Sequence, residues 1–297
     1  MRIKTILLEG KLIEKEKSDY FKEGVEYFKS GRYDSASLRF IKHLTKNPED
    51  WEAIYNLGLT YQKQKRYDAA LKEYEKAIKI NPDTELPYIN IGVIKLLKEE
   101  NKEAIKYLEK AIEINKQSIE AYNNLGVAYI NEARFNEAEK YLKNAILLNK
   151  NLAEPHINLA SVYIEKGKFE DALKELEIAK NINPNIEEEH EDLAIVYSRM
   201  RNIDKEIEEL KKVLEINPKN IEARMELANI YKSKGLLEEA LKEFQEILKY
   251  KYTDPIIHYN LGVLYAMLGR EDAALSEYEY LKEENPTLAE RIKKLVE

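Results

Sequence analysis

The sequence repeats itself every 34 residues, and this period constrains the fold more than any other feature. Laid against itself at that shift, the chain falls into eight segments in register, without insertions. They are residues 17–50, 51–84, 85–118, 119–152, 153–186, 187–220, 221–254 and 255–288. A fixed period of this length indicates stacked supersecondary units, each of which buries its apolar face against its neighbours.

Small residues recur at two places in each segment. The eighth position holds Gly or Ala in all eight segments, and the twentieth holds Ala in seven, with Glu206 as the exception. Large apolar side chains surround these positions at the i, i+3, i+4 spacing of a buried helical stripe. Because two antiparallel helices need small residues where their backbones come closest, each segment is predicted to be a helical hairpin.

One segment carries the whole pattern. It reads Tyr-Asn-Leu-Gly-Leu-Thr-Tyr at residues 55–61 and Arg-Tyr-Asp-Ala-Ala at residues 66–70, and Asn81-Pro82 closes its second helix. These residues resemble the consensus of the tetratricopeptide repeat (TPR) family. The resemblance implies an all-α fold, a right-handed α-solenoid superhelix of eight helix-turn-helix TPR repeats.

The two ends of the chain lie outside the repeats. Residues 289–297 keep the apolar spacing of a helix and are predicted to form a C-terminal capping helix, which repeat arrays need over their last unit. Residues 1–16 are predicted to form an N-terminal lead or cap segment. Its apolar residues include Ile3, Ile6, Leu7 and Ile13. Since Glu9 interrupts the apolar run, no secretory signal peptide is expected.

Charge and composition exclude several classes of function. The formal net charge is -7, with 55 acidic and 48 basic side chains interleaved along the chain, so nucleic acid is not an expected partner. The chain has no cysteine, which excludes disulfides and thiolate metal sites. No apolar stretch is long enough to cross a bilayer, so we expect no membrane insertion and predict a cytoplasmic protein.

No catalytic or cofactor pattern is found in the sequence. It lacks a Gly-rich phosphate loop, a His-Glu-x-x-His and a Gly-x-Ser-x-Gly. His156, His190 and His258 share the fourth position of their segments, but equivalent positions lie about 8 to 10 Å apart, whereas a zinc to nitrogen bond is about 2 Å. These histidines are expected to replace the aromatic residue found there in other segments. We predict no metal, no cofactor and no enzymatic activity.

The resemblance also implies where a partner binds. In TPR proteins the first helices of the repeats line a concave groove that holds an extended peptide or a partner helix. The sixth position, which faces that groove, is an asparagine in four successive segments: Asn56, Asn90, Asn124 and Asn158. An Asn side chain has two donors and an acceptor, so it can pair with the C=O and the N–H of an extended peptide. The alternative is that Asn before Leu-Gly is simply part of the repeat consensus.

Other groove positions predict the chemistry of the partner. The remaining groove residues in these segments are Tyr55, Leu59, Ile89, Val93, Asn123, Val127 and Ile157. No lysine occupies the fifth position, so the carboxylate clamp that co-chaperone TPR domains use for acidic C-termini is not expected. Acidic residues at the second position, with Glu188, Glu191 and Asp192 in the sixth segment, predict an acidic rim. We therefore expect a neutral or basic protein segment with apolar side chains.

The sequence favours a scaffold or adaptor that binds a polypeptide in this groove. The alternative is an assembly or regulatory subunit that docks through its convex face or its termini, and a homo-oligomer stays open. Repeat architecture indicates a mode of action but does not identify the partner.

Overall fold

The computed structural model describes residues 5–15, 17–184, 186–251 and 253–297. These residues contain seventeen helices and no strand, which confirms the all-α prediction. The helices are α1 (Asp19–Lys29), α2 (Tyr33–Leu44), α3 (Trp51–Lys63), α4 (Tyr67–Ile80), α5 (Leu86–Leu97), α6 (Asn101–Ile114), α7 (Ile119–Asn131), α8 (Phe135–Leu148), α9 (Ala153–Glu165), α10 (Phe169–Ile182), α11 (Glu187–Arg199), α12 (Ile203–Ile216), α13 (Ile221–Ser233), α14 (Leu237–Leu248), α15 (Pro255–Met267), α16 (Glu271–Glu284) and α17 (Pro286–Val296). The chain divides into two compact units, Thr5–Ile182 and Asn183–Glu297.

The unit Thr5–Ile182 is a stack of five hairpins. In each hairpin an odd-numbered helix packs on the even-numbered helix that follows it, from α1 on α2 to α9 on α10. The hairpins stack because α2 packs on α3, α4 on α5, α6 on α7 and α8 on α9. Among the first helices, α7 also contacts α5 and α9. These are the paired helix-turn-helix contacts of a TPR solenoid.

Glycine at the eighth position sets the close approach of the two helices in a hairpin. A Cβ atom on Gly126 would lie 2.5 Å from Cγ of Leu142, and one on Gly58 would lie 2.7 Å from the Tyr74 ring. Both partner side chains are fully buried. The second helix therefore packs directly on the glycine backbone, and a larger residue would push the two helices apart.

The unit Asn183–Glu297 has three hairpins and a final helix. Helices α11 and α12, α13 and α14, and α15 and α16 pair, and α17 packs on both α15 and α16. The side chain of Asn285 caps α17 by accepting the Leu288 N–H at 3.3 Å, so this helix begins at Pro286 rather than at residue 289. Ala289 and Ile292 of α17 are buried.

No helix within the described parts of the chain has both the length and the apolar character needed to span a membrane.

A left-handed backbone residue closes the first helix of every hairpin. It is always the fifteenth position of the 34-residue segment. Four of these residues are glycines with φ between 68° and 75°: Gly31, Gly167, Gly235 and Gly269. The other four have φ between 55° and 59°: Lys65, Glu99, Ala133 and Arg201. The next residue bonds back across the turn, as where the Arg134 N–H donates to the Tyr129 C=O at 2.8 Å. This is the Schellman closure of a helix.

Exchanging the two kinds of turn residue should change stability in opposite directions. An L-residue in the left-handed region costs about 1 to 2 kcal/mol, which the greater flexibility of glycine in the unfolded chain offsets by about 0.5 to 1 kcal/mol. We expect Ala133→Gly to raise the free energy of unfolding by about 1 kcal/mol or less, and Gly167→Ala to lower it by a similar amount. Urea denaturation measures both.

Glu132→Gly is the matched control, because Glu132 has φ -86° and lies just before the turn. A glycine there should destabilise the chain. If Ala133→Gly and Glu132→Gly changed stability equally, the left-handed turn would carry no strain.

Candidate functional site

The four asparagines of the sixth position lie on the first helices of four successive hairpins. Asn56 is on α3, Asn90 on α5, Asn124 on α7 and Asn158 on α9, and all four are fully buried. Residues 5–15 of the same chain, here called the N-terminal segment, contact all four side chains through their backbone. The groove is the surface of α3, α5, α7 and α9 along which this segment lies.

Asn158 and Asn124 each bind both backbone groups of a single residue. Asn158 Oδ1 accepts the Ile6 N–H at 2.7 Å, and its Nδ2 donates to the Ile6 C=O at 2.7 Å. Asn124 binds Leu8 in the same way, at 2.7 Å for the N–H and 2.5 Å for the C=O. The two bonded residues are two apart, which is the spacing at which an extended chain presents its backbone to one side.

Asn123 adds a third amide beside this pair. Its Nδ2 donates to the Ile6 C=O at 2.9 Å, and its Oδ1 accepts from Asn158 Nδ2 at 2.8 Å. The C=O of Ile6 thus accepts from two asparagines, one on α7 and one on α9. Neighbouring first helices are joined through the backbone of the bound segment.

Tyr55 changes the pattern at the next asparagine. Asn90 accepts the Gly10 N–H at 2.9 Å, but its Nδ2 donates to the Tyr55 hydroxyl at 2.9 Å. That hydroxyl donates in turn to the Lys11 C=O at 2.9 Å. A Cβ atom on Gly10 would lie 2.8 Å from the Tyr55 oxygen and 3.1 Å from Asn90 Nδ2. Since both side chains are fully buried, any side chain at this point would have to displace them.

Asn56 completes the row with a change of spacing. It accepts the Ile13 N–H at 3.0 Å and donates to the Ile13 C=O at 2.8 Å. The bonded residues are therefore Ile6, Leu8 and Gly10 at intervals of two, followed by Ile13 after an interval of three. The extra residue falls where the Tyr55 hydroxyl takes the Lys11 C=O, so Tyr55 and Gly10 set the register together.

Apolar side chains of the segment pack against two buried clusters of the same unit. Leu12 and Ile13 pack against the buried cluster that contains Tyr55 and Leu59. Leu7 packs against the cluster that contains Ile89 and Val93. Val127 and Ile157 are buried as well.

Acidic groups at the start of α3 bind Lys15, at the end of the segment, and Lys17 just after it. Lys15 and Lys17 both pair with Glu52, and Lys17 also pairs with Asp50 at 2.5 Å. Burial alone would raise the pKa of Asp50 and of Glu52. The hydrogen bonds of Glu52 with Lys15 and Lys17, and those of Asp50 with Lys17, His43 and the Ala53 N–H, outweigh it and hold both pKa values below their ordinary range. Lys11 also lies 3.5 Å from Glu120, the second-position residue of α7.

The acidic residues predicted in the sixth segment belong to the other compact unit. Glu188, Glu191 and Asp192 lie on α11, where Glu191 and Asp192 are buried. Glu191 accepts from Asn220 Nδ2 at 2.6 Å. The groove described above is made of residues of Thr5–Ile182, and a partner-binding role for the three acids stays a prediction.

The three fourth-position histidines each contact a glutamate nineteen residues further along the chain. The Nδ1 to Oε2 distances are 2.6 Å for His156 and Glu175, 2.5 Å for His190 and Glu209, and 2.6 Å for His258 and Glu277. The rings of Tyr88 and Tyr107 are neighbours at the same offset. These histidines thus make a contact between the two helices of a hairpin. Within the described residues no group of side chains is arranged to hold a metal ion.

The occupant of the groove was missed by the sequence interpretation. Residues 1–16 were predicted to be a lead or cap segment, and Met1–Lys4, with Ile3 among them, and Glu16 lie outside the described residues. Residues 5–15 run along the groove instead of covering an end of the stack. One signal was present: residues 5–15 contain five apolar residues and as many lysines as glutamates, which fits the neutral segment with apolar side chains predicted for the partner.

The comparisons with known proteins identify the family of this chain. A TPR family described as Cilia and flagella-associated protein 70 C-terminal domain matches residues 16–254, and a second family described as Tetratricopeptide repeat matches residues 225–289. The chain belongs to the tetratricopeptide repeat family. No curated protein matches this TPR chain.

Solved TPR structures share its fold. A TPR protein from Parabacteroides merdae is 16% identical with a TM-score of 0.63, and the alignment covers 83% of this chain and 97% of that one. Pseudomonas aeruginosa PilF is 21% identical with a TM-score of 0.59, over 70% of this chain and 95% of that one. A chain of the APC/C hetero-tetramer Cut9-Hcn1 is 14% identical with a TM-score of 0.62, and the alignment covers 89% of this chain and 53% of that one. At these identities the similarity shows the fold alone.

The attachment of the segment to α3 should weaken in acid. The folded pKa values of Asp50 and Glu52 are lowered, so their stabilising contribution is present above the unfolded values near about pH 4 and is lost as the pH falls through the folded values. Glu52→Gln should therefore be less stable than the natural chain at pH 7 and approach it below about pH 4. Urea unfolding followed by the fluorescence of Trp51, the single tryptophan, measures this.

Glu103→Gln serves as the control, because Glu103 is exposed and pairs with Lys106 on the surface of α6. Exposed pairs of this kind contribute little. An equal loss at pH 7 in both variants would contradict the role of Glu52.

Proposed function

We propose that this protein is a scaffold or adaptor that holds an extended segment of a partner polypeptide in the groove of α3, α5, α7 and α9. The observation that carries the proposal is the asparagine row, in which three of the four side chains bind both the N–H and the C=O of one residue. Amides used in this way hold a backbone whatever its side chains are. The fold supports the proposal, because TPR hairpins stack into such extended surfaces.

The lining of the groove defines the chemistry of the partner. Its segment must be extended, without proline at the residues that bond to the asparagines, since proline has no N–H. Apolar side chains suit the surfaces beside Leu59 and Val93, and glycine suits the point between Tyr55 and Asn90. Glu52 and Glu120 favour lysine or arginine near them. We therefore propose that the groove binds a neutral or basic segment of a partner protein. We also propose that the chain binds this partner without catalysing a reaction.

The competing proposal, docking through the second helices of the hairpins or through the termini, has weaker support. Exposed large apolar side chains on those helices, such as Leu147 and Ile178, number at most two on any one helix. Single exposed apolar residues are normal on protein surfaces. We assign the protein to the cytoplasm on the sequence argument alone.

The test compares partner capture by matched full-length chains. All of them carry Gly10→Val, because the N-terminal segment uses the same asparagines and valine does not fit at that point. In this background Asn90→Ala with Asn124→Ala removes three backbone hydrogen bonds of the kind that the N-terminal segment makes, worth about 1.5 to 4.5 kcal/mol together. The affinity for a groove-bound partner should fall at least about tenfold, measured by affinity purification and quantitative mass spectrometry.

The control is Asn131→Ala with Asn136→Ala, two exposed asparagines of the same region. Its captured proteins should match those of the parent chain. If both double variants retained the same proteins equally, the groove would not be the binding surface, and docking elsewhere would be favoured.

A further inference from the structure

We propose that the N-terminal segment is a built-in ligand that keeps the groove closed to a partner until it is displaced. This inference rests on the proposed function, because it concerns the regulation of the same groove. Its basis is that residues 5–15 engage Asn56, Asn90, Asn124 and Asn158 all at once. A partner that binds the asparagine row must therefore remove this segment first.

The segment has the properties of a ligand rather than of a structural strand. It bonds through its backbone to side-chain amides, and the bonds lie at intervals set by the groove. Its apolar side chains are only half-buried, and Lys11, Glu14 and Lys15 are exposed. A core strand would bury its apolar side chains fully. The segment can thus leave the groove without unfolding the hairpins, whose own contacts lie at the glycines of the eighth position.

Gly10 fits this role because the groove leaves no alternative there. The Tyr55 hydroxyl and the Asn90 amide, already bonded to each other, stand where a side chain of residue 10 would begin. A competing segment needs glycine at the same point. The groove and the segment are therefore matched in sequence as well as in backbone geometry.

The attachment of the segment makes it an effective competitor. Ser18 caps α1 three residues after Lys15, so the segment is tethered at its Ile13 end, while its Ile6 end lies furthest from the tether. A short tether gives an effective concentration of the order of millimolar, and a segment bound about 99% of the time weakens a partner about a hundredfold.

The test uses a fluorescein-labelled synthetic peptide with the sequence of residues 5–15, added to full-length chains and followed by fluorescence anisotropy. The chains are the natural one, Gly10→Val, and the control Glu14→Val, whose exposed side chain pairs with Lys29 of α1. The peptide should bind Gly10→Val at least about tenfold more tightly than it binds the other two. A peptide that itself carries Gly10→Val should not bind.

A second variant that should release the N-terminal segment from the groove controls for misfolding of the first. Leu8→Pro removes the backbone N–H that donates to Asn124 Oδ1. The chain with this substitution should bind the peptide with the same affinity as the Gly10→Val chain. If the peptide bound all chains with equal, measurable affinity, the proposal that the N-terminal segment closes the groove would be wrong, and the proposed function would be unaffected. No binding to either displaced variant, with its helical circular dichroism intact, would overturn the proposed function as well.

Discussion

The close approach of two helix backbones at the glycine of each hairpin is the constraint on which the rest of this structure depends. At Gly58, Gly92 and Gly126 the glycine lies directly against a large side chain of the second helix. Asparagine stands two residues before each of these glycines. Two residues along a helix correspond to a rotation of about 200°, so the asparagine faces away from its own second helix. The contact that closes the hairpin thus also aims the amide into the groove.

Stacking then turns single amides into a row. Each of the four hairpins from α3 to α10 contributes one asparagine at the same position of its first helix. The contacts of α7 with α5 and α9 bring successive amides within reach of one extended chain. Asn123 and Asn158 share the Ile6 C=O, so the segment also joins neighbouring hairpins. Each bond contributes only about 0.5 to 1.5 kcal/mol, so occupation of the groove depends on the whole row and on the tether. This makes the segment firmly bound yet displaceable.

Much of this was predictable from the sequence, because the 34-residue period records contacts that every repeat must make. Gly126 and Ala138 mark the helix crossings, and the sixth-position asparagines were predicted to face the groove. The left-handed turns also recur with this period, at the fifteenth position. Only half of these residues are glycine, so the residue types at that position did not indicate a left-handed turn. The occupant was not predictable from the period, since residues 5–15 lie outside the repeats. The link between Tyr55 and Gly10 is a tertiary contact 45 positions apart and leaves no local pattern.

Amide hydrogen exchange of residues 5–15, measured by NMR on the full chain, tests the central claim most directly. The N–H groups of Ile6, Leu8, Gly10 and Ile13 donate to asparagines, whereas those of Leu7 and Glu9 make no hydrogen bond within the described residues. The four bonded amides should exchange slowly and the two intervening ones fast, and Asn124→Ala should accelerate Leu8 most. Fast exchange along the whole segment, or slow exchange at Leu8 that Asn124→Ala does not change, would contradict recognition of the backbone by the asparagine row.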